Sequence, residues 1–341
     1  MKKKIAIVTG ASGQDGAYLI ELLLKKNYKV VAALRRNSNV NTSRLSTLGL
    51  DYVTNNFSKA EIEITEFTNC ANIISKLKPS EFYNLAAQSF VKTSFDQPIY
   101  TTYVNSLGVL NCLESIRNFS PKTKFYQAST SEMYGNPIDK KMNEKTEFAP
   151  VSPYAVSKLY AYHMTKLYRE AYKLFCVNGI LFNHESPFRG QEFVTQKIIT
   201  SLVKIKKNKQ KFLLLGNLDS YRDWGHAKDY VQSMWLMLQQ KKPSDYVVST
   251  GKTFTIRDFV NRSAKYLGMK ITWKGSGLNE IGYDTISNKQ IIKISKQFYR
   301  PAEVNYLRGD PSKAKRVLKW KPKYNLDSLI ADMCEVALKK Y

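Results

Sequence analysis

Three observations predict an α/β fold with a doubly wound parallel sheet. Short apolar runs alternate with amphipathic segments through the first half of the 341-residue chain. The runs are largely apolar without polar alternation, as strands are when helices cover both faces of a sheet. A glycine-rich turn, Gly10-Ala-Ser-Gly13-Gln-Asp-Gly16, follows the first run and opens the first helical pattern. That strand–turn–helix order is the one a Rossmann-type dinucleotide-binding unit uses.

Taken in order, Lys4 to Thr9 (KIAIVT) reads as the first strand, Gln14 to Lys26 as a helix and Lys29 to Leu34 (KVVAAL) as the second strand. Further strands are expected at Glu61 to Ile64, Glu81 to Ala86, Lys124 to Ser129 and Phe175 to Leu181, with helices near 66–77, 99–117 and 153–174. Past residue 183 the rhythm breaks into shorter elements and loop signals such as PFRG, GNLDS and KGSG. The expected division is a Rossmann domain over 1–182 and a smaller, mainly ligand-binding C-terminal α/β domain over 183–341. Segments near 225–250 are expected to return to the first sheet.

The chain carries 53 Lys plus Arg against 28 Asp plus Glu, a formal net charge of +25. Of these cations 41 are Lys, scattered rather than blocked, as on solvated helix faces. Neither a basic tail nor a nucleic-acid motif accompanies them, so nucleic acid and membrane surfaces are not expected partners, whereas a small polyanion is compatible. Hydrophobic residues at 43% exclude wholesale disorder. No apolar run approaches the roughly 20 residues of a membrane helix, and the apolar stretch in MKKKIAIVTGAS is too short for a signal peptide. A cytoplasmic location is the default expectation. Cys70, Cys112, Cys176 and Cys334 form no CxxC pair, and His163, His184 and His226 are too dispersed for a metal site.

Glycine is needed in the turn because a Cβ would hold a pyrophosphate away from the backbone and from the helix N-terminal amides. The second strand ends in Leu34-Arg35-Arg36, where a carboxylate would suit the ribose hydroxyl of NAD and arginine suits the 2′-phosphate of NADP. NADP is therefore favoured. Arg44, later in the same polar loop, is placed to reach the cofactor or a neighbouring subunit. Tyr154 and Lys158 stand four apart on a predicted helix and share a face. A lysine cation beside a phenol favours phenolate, which would make Tyr154 a usable base. Upstream, Gln127 to Gly135 (QASTSEMYG) closes a strand at the carboxyl edge of the sheet and offers Ser129, Thr130, Ser131 and Glu132.

TGASGQDG, NLAAQS, STSEMYG and YAVSK together resemble the extended short-chain dehydrogenase/reductases. More narrowly, LAAQSFVKTSF, QASTSEMYG, SPYAVSKLYAY, LFNHESPFRG, FVTQKI, GNLDSYRDWGHAKDY and RPAEVNYLRGDPSKAK are similar to the GDP-mannose 4,6-dehydratase family, with matches from residue 5 to about 320. The resemblance implies that Tyr154, with Lys158 and Thr130, takes the proton of the sugar 4-hydroxyl as hydride leaves C4 for NADP⁺. The new ketone acidifies C5, Glu132 removes that proton as the 6-hydroxyl departs as water, and hydride returns to C6.

By the same matching, the cofactor would be held by Gly10, Ser12, Gly13, Gln14, Asp15 and Gly16 in the turn and by Arg35, Arg36 and Ser38 after the second strand. Glu63 and Ile64, standing where the family has Asp-Leu, would lie beside the adenine. Leu85, Ala86, Ala87 and Ser89 would line the cofactor together with Tyr154 and Lys158, and Tyr100, His184 and Arg189 would approach it. Ser89, Thr130, Asn183, Val194, Lys197, Arg222, Arg300 and Glu303 would take the GDP-sugar, the cations on its diphosphate and Glu303 on guanine. The sequence departs from the family at Phe188, Gln196 and Tyr221, where cations are usual, and at Asn305 and Arg308. Of these three cations, two are expected to be missing close to the sugar-nucleotide site. GDP-heptose and GDP-N-acetylglucosamine stand beside GDP-mannose as substrates, and an NADP-dependent epimerase or reductase is the reading in which Glu132 is incidental. The resemblance also implies a homotetramer or homodimer, with the loop from Arg35 to Arg44 reaching across an interface.

Overall fold

The computed structural model describes residues 3–36, 42–137, 141–299 and 304–341. Ser38, Arg300 and Glu303 lie outside the described residues. Seven parallel strands form the main sheet: β1 (Ile5–Thr9), β2 (Lys29–Leu34), β3 (Phe57–Glu61), β4 (Glu81–Asn84), β5 (Lys124–Thr130), β6 (Cys176–Leu181) and a late strand, Tyr246–Val248. Their order is β3-β2-β1-β4-β5-β6 followed by Tyr246–Val248, so chain direction switches sides between β1 and β4. Ligands of open α/β sheets bind at the carboxyl ends of the strands beside such a switch.

Burial on both faces explains the strand composition. Ala6, Ile7 and Val8 of β1 are fully buried. One face packs under α1 (Gln14–Lys25), through Leu19 and Leu23, and under the helix Ala227–Leu238, through Tyr230, Met234 and Met237. The other face packs Ile7, Phe82 and Phe125 against Val109, Leu113 and Ile116 of the helix Gly108–Phe119. A separate core joins the helices Val194–Lys206, Ile256–Tyr266 and Leu326–Lys340 to a four-stranded mixed sheet made from Leu213–Leu215, Ile271–Lys274, Ile281–Asp284 and Lys289–Ile294. This is the α/β fold expected. The four cysteines are buried and free, and no helix among the described residues is long and apolar enough to cross a membrane.

Two expected elements differ. The strand placed at Glu61 to Ile64 ends where it was expected to begin, since β3 is Phe57–Glu61. It is an edge strand with alternating burial, so it lacks a continuous apolar run, while Ile62 and Ile64 are buried beyond it as part of the core under the helices. The helix expected over 99–117 is three joined pieces: Pro98–Thr102, a π-helical turn Tyr103–Leu107, and Gly108–Phe119. The turn brings the buried Asn105 to the loop after β4. Its Oδ1 accepts the Gln88 amide (2.9 Å), and its Nδ2 donates to the Gln88 carbonyl (3.0 Å) and to Ser157 Oγ (3.1 Å).

Candidate active site

The glycine turn has the backbone that its spacing implies. Gly10 adopts φ +64°, and a Cβ there would sit 2.8 Å from the Leu85 carbonyl carbon. A Cβ on Gly16 would meet the Gly10 carbonyl oxygen at 2.3 Å. Gly13 precedes α1 without a side-chain cap, so the first-turn amides are left to an external acceptor. The adjoining backbone is pinned by Thr9, whose hydroxyl donates to Asn84 Oδ1 (2.7 Å) and accepts the amides of Leu85 and Ala86. An open cradle that side chains would fill, at a helix N-terminus, fits a dinucleotide pyrophosphate.

Two elements deliver the reactive side chains to the same edge. β5 ends at Thr130, whose hydroxyl accepts the Glu132 amide (3.2 Å) and caps a single 3₁₀ turn, Ser131–Tyr134. Glu132 is only 7% exposed there. The helix Pro153–Ala171 starts behind Ser152, whose Oγ accepts the Ala155 amide, and this sets Tyr154 and Lys158 one turn apart on the buried face. Burial pushes the Tyr154 phenol up to about 12, against the pull of its hydrogen bond with Thr130. Burial likewise pushes Lys158 down to about 8. The expected lowering of the phenol by the lysine cation is therefore corrected. Lys158 Nζ donates to the Ala128 carbonyl (3.0 Å) and stands 6.0 Å from the centre of the Tyr154 ring, so desolvation governs both groups.

Two cavities meet at this point. The first encloses about 360 Å³ and is lined by Gly10, Ser12, Gly13, Gln14, Asp15, Gly16, Leu85, Ala87, Ser89, Thr130, Glu132, Tyr154, Lys158, Asn183, His184 and Arg189, among others. The second encloses about 610 Å³ and shares Ser89, Thr130, Glu132, Tyr154, Asn183 and Arg189 with the first, adding Val194, Lys197 and Arg222. Thr130, Glu132 and Tyr154 thus form part of the wall between them. Ala86 packs against core residues and does not line the first cavity. Arg35 and Arg36 are exposed beyond β2, with Arg35 donating to the Tyr100 hydroxyl at 2.6 Å. Glu63 turns its carboxylate onto Thr65 (2.8 Å), and Ile64 is buried against Gly108. Neither lines the two cavities. Arg44 donates to the Ser12 carbonyl (3.0 Å) and the Phe188 carbonyl (2.7 Å).

The second cavity is basic and partly aromatic. Lys197 Nζ lies 3.1 Å from the centre of the Phe298 ring, and burial with Lys92 nearby pushes its pKa down to about 8. Glu185 and Phe298 are lining residues that the sequence reading did not single out. Glu185 accepts the Thr195 hydroxyl (2.6 Å) and pairs with Arg189 Nε (3.0 Å), tying the helix Val194–Lys206 to the first cavity. Its position directly after His184 was the available signal. Phe188, Gln196 and Tyr221 do not line the second cavity. Phe188 stacks on Tyr18 with ring centres 4.7 Å apart, Gln196 is buried, and Tyr221 packs on Tyr306. Among the described residues no group of His, Cys, Asp or Glu is arranged to hold a metal.

Comparison with known proteins agrees with this geometry. The sequence is 46% identical to the GDP-mannose 4,6 dehydratase of Drosophila melanogaster over 337 residues, covering 97% of this chain and 85% of that protein. The fold superimposes on dTDP-glucose 4,6-dehydratase from Bacillus anthracis, solved with NAD, with a TM-score of 0.81 at 21% identity over 98% of this chain and 97% of that one. It also superimposes on RMD from Pseudomonas aeruginosa, solved with NADPH, with a TM-score of 0.77 at 19% identity over 99% of each chain. The family described as GDP-mannose 4,6 dehydratase matches residues 7–333, and the chain belongs to that family.

Proposed function

We propose that this protein is an NADP-dependent 4,6-dehydratase that converts a GDP-hexose, GDP-mannose first among them, to its 4-keto-6-deoxy derivative. One observation carries the reading: Thr130, Glu132 and Tyr154 form a wall shared by a dinucleotide cradle and a basic cavity. A sugar standing in the second cavity presents its ring to all three. When bound, the dinucleotide supplies a hydride acceptor at C4 and later a hydride donor at C6. Tyr154, a neutral phenol in the free chain, takes the proton of the 4-hydroxyl as its phenolate, the form that the positive charge of an oxidised nicotinamide beside it would favour, and Thr130 holds the phenol oxygen in line through their hydrogen bond. Lys158 fixes the floor of the site through the Ala128 carbonyl. Glu132 takes the C5 proton once C4 is a ketone and passes it to the departing 6-hydroxyl, which leaves as water; as hydride returns to C6, C5 takes up a proton, which balances the one given up by the 4-hydroxyl. Lys197 and Arg222 take the diphosphate, with Arg300 joining them and Glu303 on the guanine edge. Arg35 and Arg36 favour NADP over NAD. Those remaining members of the two residue sets that line the cavities hold cofactor and sugar, as the family resemblance implies.

The proposed assembly is a homodimer or a tetramer built from dimers. Ile99, Tyr103 and Leu107 form one exposed apolar stripe, and Val156, Tyr160 and Leu167 form another on the neighbouring helix Pro153–Ala171. Two adjacent stripes of this kind suit packing against the same surface of a second copy.

Incubation with GDP-mannose, a GDP-heptose and GDP-N-acetylglucosamine, followed by mass spectrometry, tests the reading. Loss of one water with catalytic NADP⁺ is expected, for GDP-mannose at least. Dehydration of only a UDP- or dTDP-sugar would overturn the nucleotide, and epimerised or reduced products without water loss would overturn the reaction.

A further inference from the structure

A carboxylate in the first turn of a phosphate-binding helix needs an explanation. Asp15 is the second residue of α1 and lines the first cavity, among the very amides that would receive a pyrophosphate. Like charges at such separation repel strongly in a site shielded from water.

His184 answers that charge. Its Nε2 lies 2.6 Å from Asp15 Oδ2, and its Nδ1 lies 2.8 Å from the Phe182 carbonyl oxygen. Both partners are acceptors, so both ring nitrogens donate and the ring is an imidazolium. Its other surroundings preserve this arrangement. The ring stacks on Tyr230, with centres 4.5 Å apart. Gln14 Nε2 donates to the His184 carbonyl (3.1 Å) and to Asp15 Oδ1 (3.1 Å), while its Oε1 accepts from Ser186 Oγ (2.7 Å). Among the described residues, the titratable or charged neighbours include Arg189, the phenols of Tyr126, Tyr154 and Tyr230, each kept neutral by burial, Glu185 next in the chain, and Glu132 and Lys158 on the wall of the same cavity. Burial opposes both charges. Even so, His184 holds Asp15 below the usual carboxylate range, and Asp15 holds His184 above the usual imidazole range.

We propose that Asp15 and His184 form a proton-gated charge pair, in which the imidazolium cancels the carboxylate and so admits the dinucleotide pyrophosphate. Loss of one proton takes the pair from neutral to one net negative charge at that spot, and affinity falls. The pair also orders the junction between α1 and the segment after β6, because Gln14 and Asp15 both bind it. The inference rests on the dinucleotide reading of the first cavity, and not on the choice between NADP and NAD or on the sugar.

Calorimetric titration of NADP⁺ and of NAD⁺ into the full chain, at about pH 7 and about pH 9, tests the pair. His184→Gln should weaken both dinucleotides by about tenfold or more at the lower pH, where the parent still holds its imidazolium, and by less at the higher pH; adding Asp15→Asn to that variant should recover most of the loss. Asp15→Asn alone should flatten the decline between the two pH values. Lys158 titrates in that interval in every chain, so the difference from the parent is the signal. A double variant as weak as His184→Gln overturns the proposal, and so does an Asp15→Asn chain whose decline equals the parent's. Melting temperatures of the variants, taken without dinucleotide, separate loss of fold from loss of affinity. A parent chain that binds neither dinucleotide would instead remove the cofactor reading on which the pair depends.

Discussion

Lys158 donates to the Ala128 carbonyl at 3.0 Å, spending its hydrogen bond on the end of β5 rather than on the phenol of Tyr154. The lysine is held to the strand that carries Thr130, and burial brings its pKa to about 8. Below that pH the amine is charged; as pH rises through about 8 it loses its proton, well before the lysines of an unfolded chain at about 10.5. Between those values the unfolded chain binds more protons, so this group's share of the unfolding free energy rises with pH. Activity should move the other way. A descending limb in kcat/KM near pH 8 is expected, and Lys158→Met should lower activity by about 10²–10³-fold and abolish that limb. The pH–rate profile of the residual activity checks this, since a surviving limb at the same pH assigns it to another group.

Glu132 should separate oxidation from elimination. Glu132→Gln keeps Thr130, Tyr154 and Lys158 in place, so hydride exchange at C4 should persist while water loss falls by about 10³-fold. Transient reduction of the cofactor followed by single-turnover product analysis reads both steps. Undiminished dehydration would take Glu132 out of its role.

Arg35 and Arg36 are solvent-facing cations at the end of β2. Replacing both with alanine should weaken NADP⁺ by about tenfold or more while leaving NAD⁺ nearly unaffected, because only NADP⁺ carries the 2′-phosphate. Equal losses, measured by direct binding, would contradict the assignment.

Lys197 sits in the second cavity at a lowered pKa, the condition of a cation that gains from meeting an anion. Lys197→Met should raise KM for the GDP-sugar by about tenfold with little change in kcat, and should flatten the dependence of KM on salt. A loss confined to kcat would place the lysine in the chemical step instead.

Gly16 offers a test of the cradle through stability. A Cβ there would meet the Gly10 carbonyl at 2.3 Å, and backbone cannot yield as a side-chain tip does. Gly16→Ala should cost about 1–3 kcal/mol and abolish dinucleotide binding, as thermal melts and titration would show. Normal binding in that variant would mean the turn relaxes without loss.

Much of this molecule is readable from its residues, for physical reasons that differ along the chain. β1, β2 and β6 announce themselves because strands buried on both faces must be apolar throughout. β3 hides because an edge strand alternates, and FSKAE has no run to notice. The small mixed sheet hides for the same reason, with half-polar strands such as IGYD and KQIIKI. Tyr154 and Lys158 share a helix face by spacing, and a strand end offers Thr130 and Glu132 beside them, while the roles of Thr130 and Glu132 are legible only through the family resemblance. Their electrostatics are not legible, because desolvation is a property of the assembled site. Phe298 meets Lys197 across a long stretch of sequence, and Glu185 bridges to Thr195 only once the helix Val194–Lys206 has docked.

The π-helical turn Tyr103–Leu107 carries a consequence for how this segment can vary. It holds one more residue per hydrogen-bonded ring than an α-helical turn, which rotates everything before it relative to everything after it. Ahead of the widened coil lie the exposed Ile99 and the approach to Tyr100; after it comes the core face of Gly108–Phe119; within it Asn105 grips Gln88 and Ser157. Removing a single residue would restore the ordinary pitch and turn Asn105 away by about 100°. Spelling can drift here while length cannot, so an insertion or deletion between Pro98 and Phe119 should be far harder to accommodate than any exchange of one exposed side chain for another.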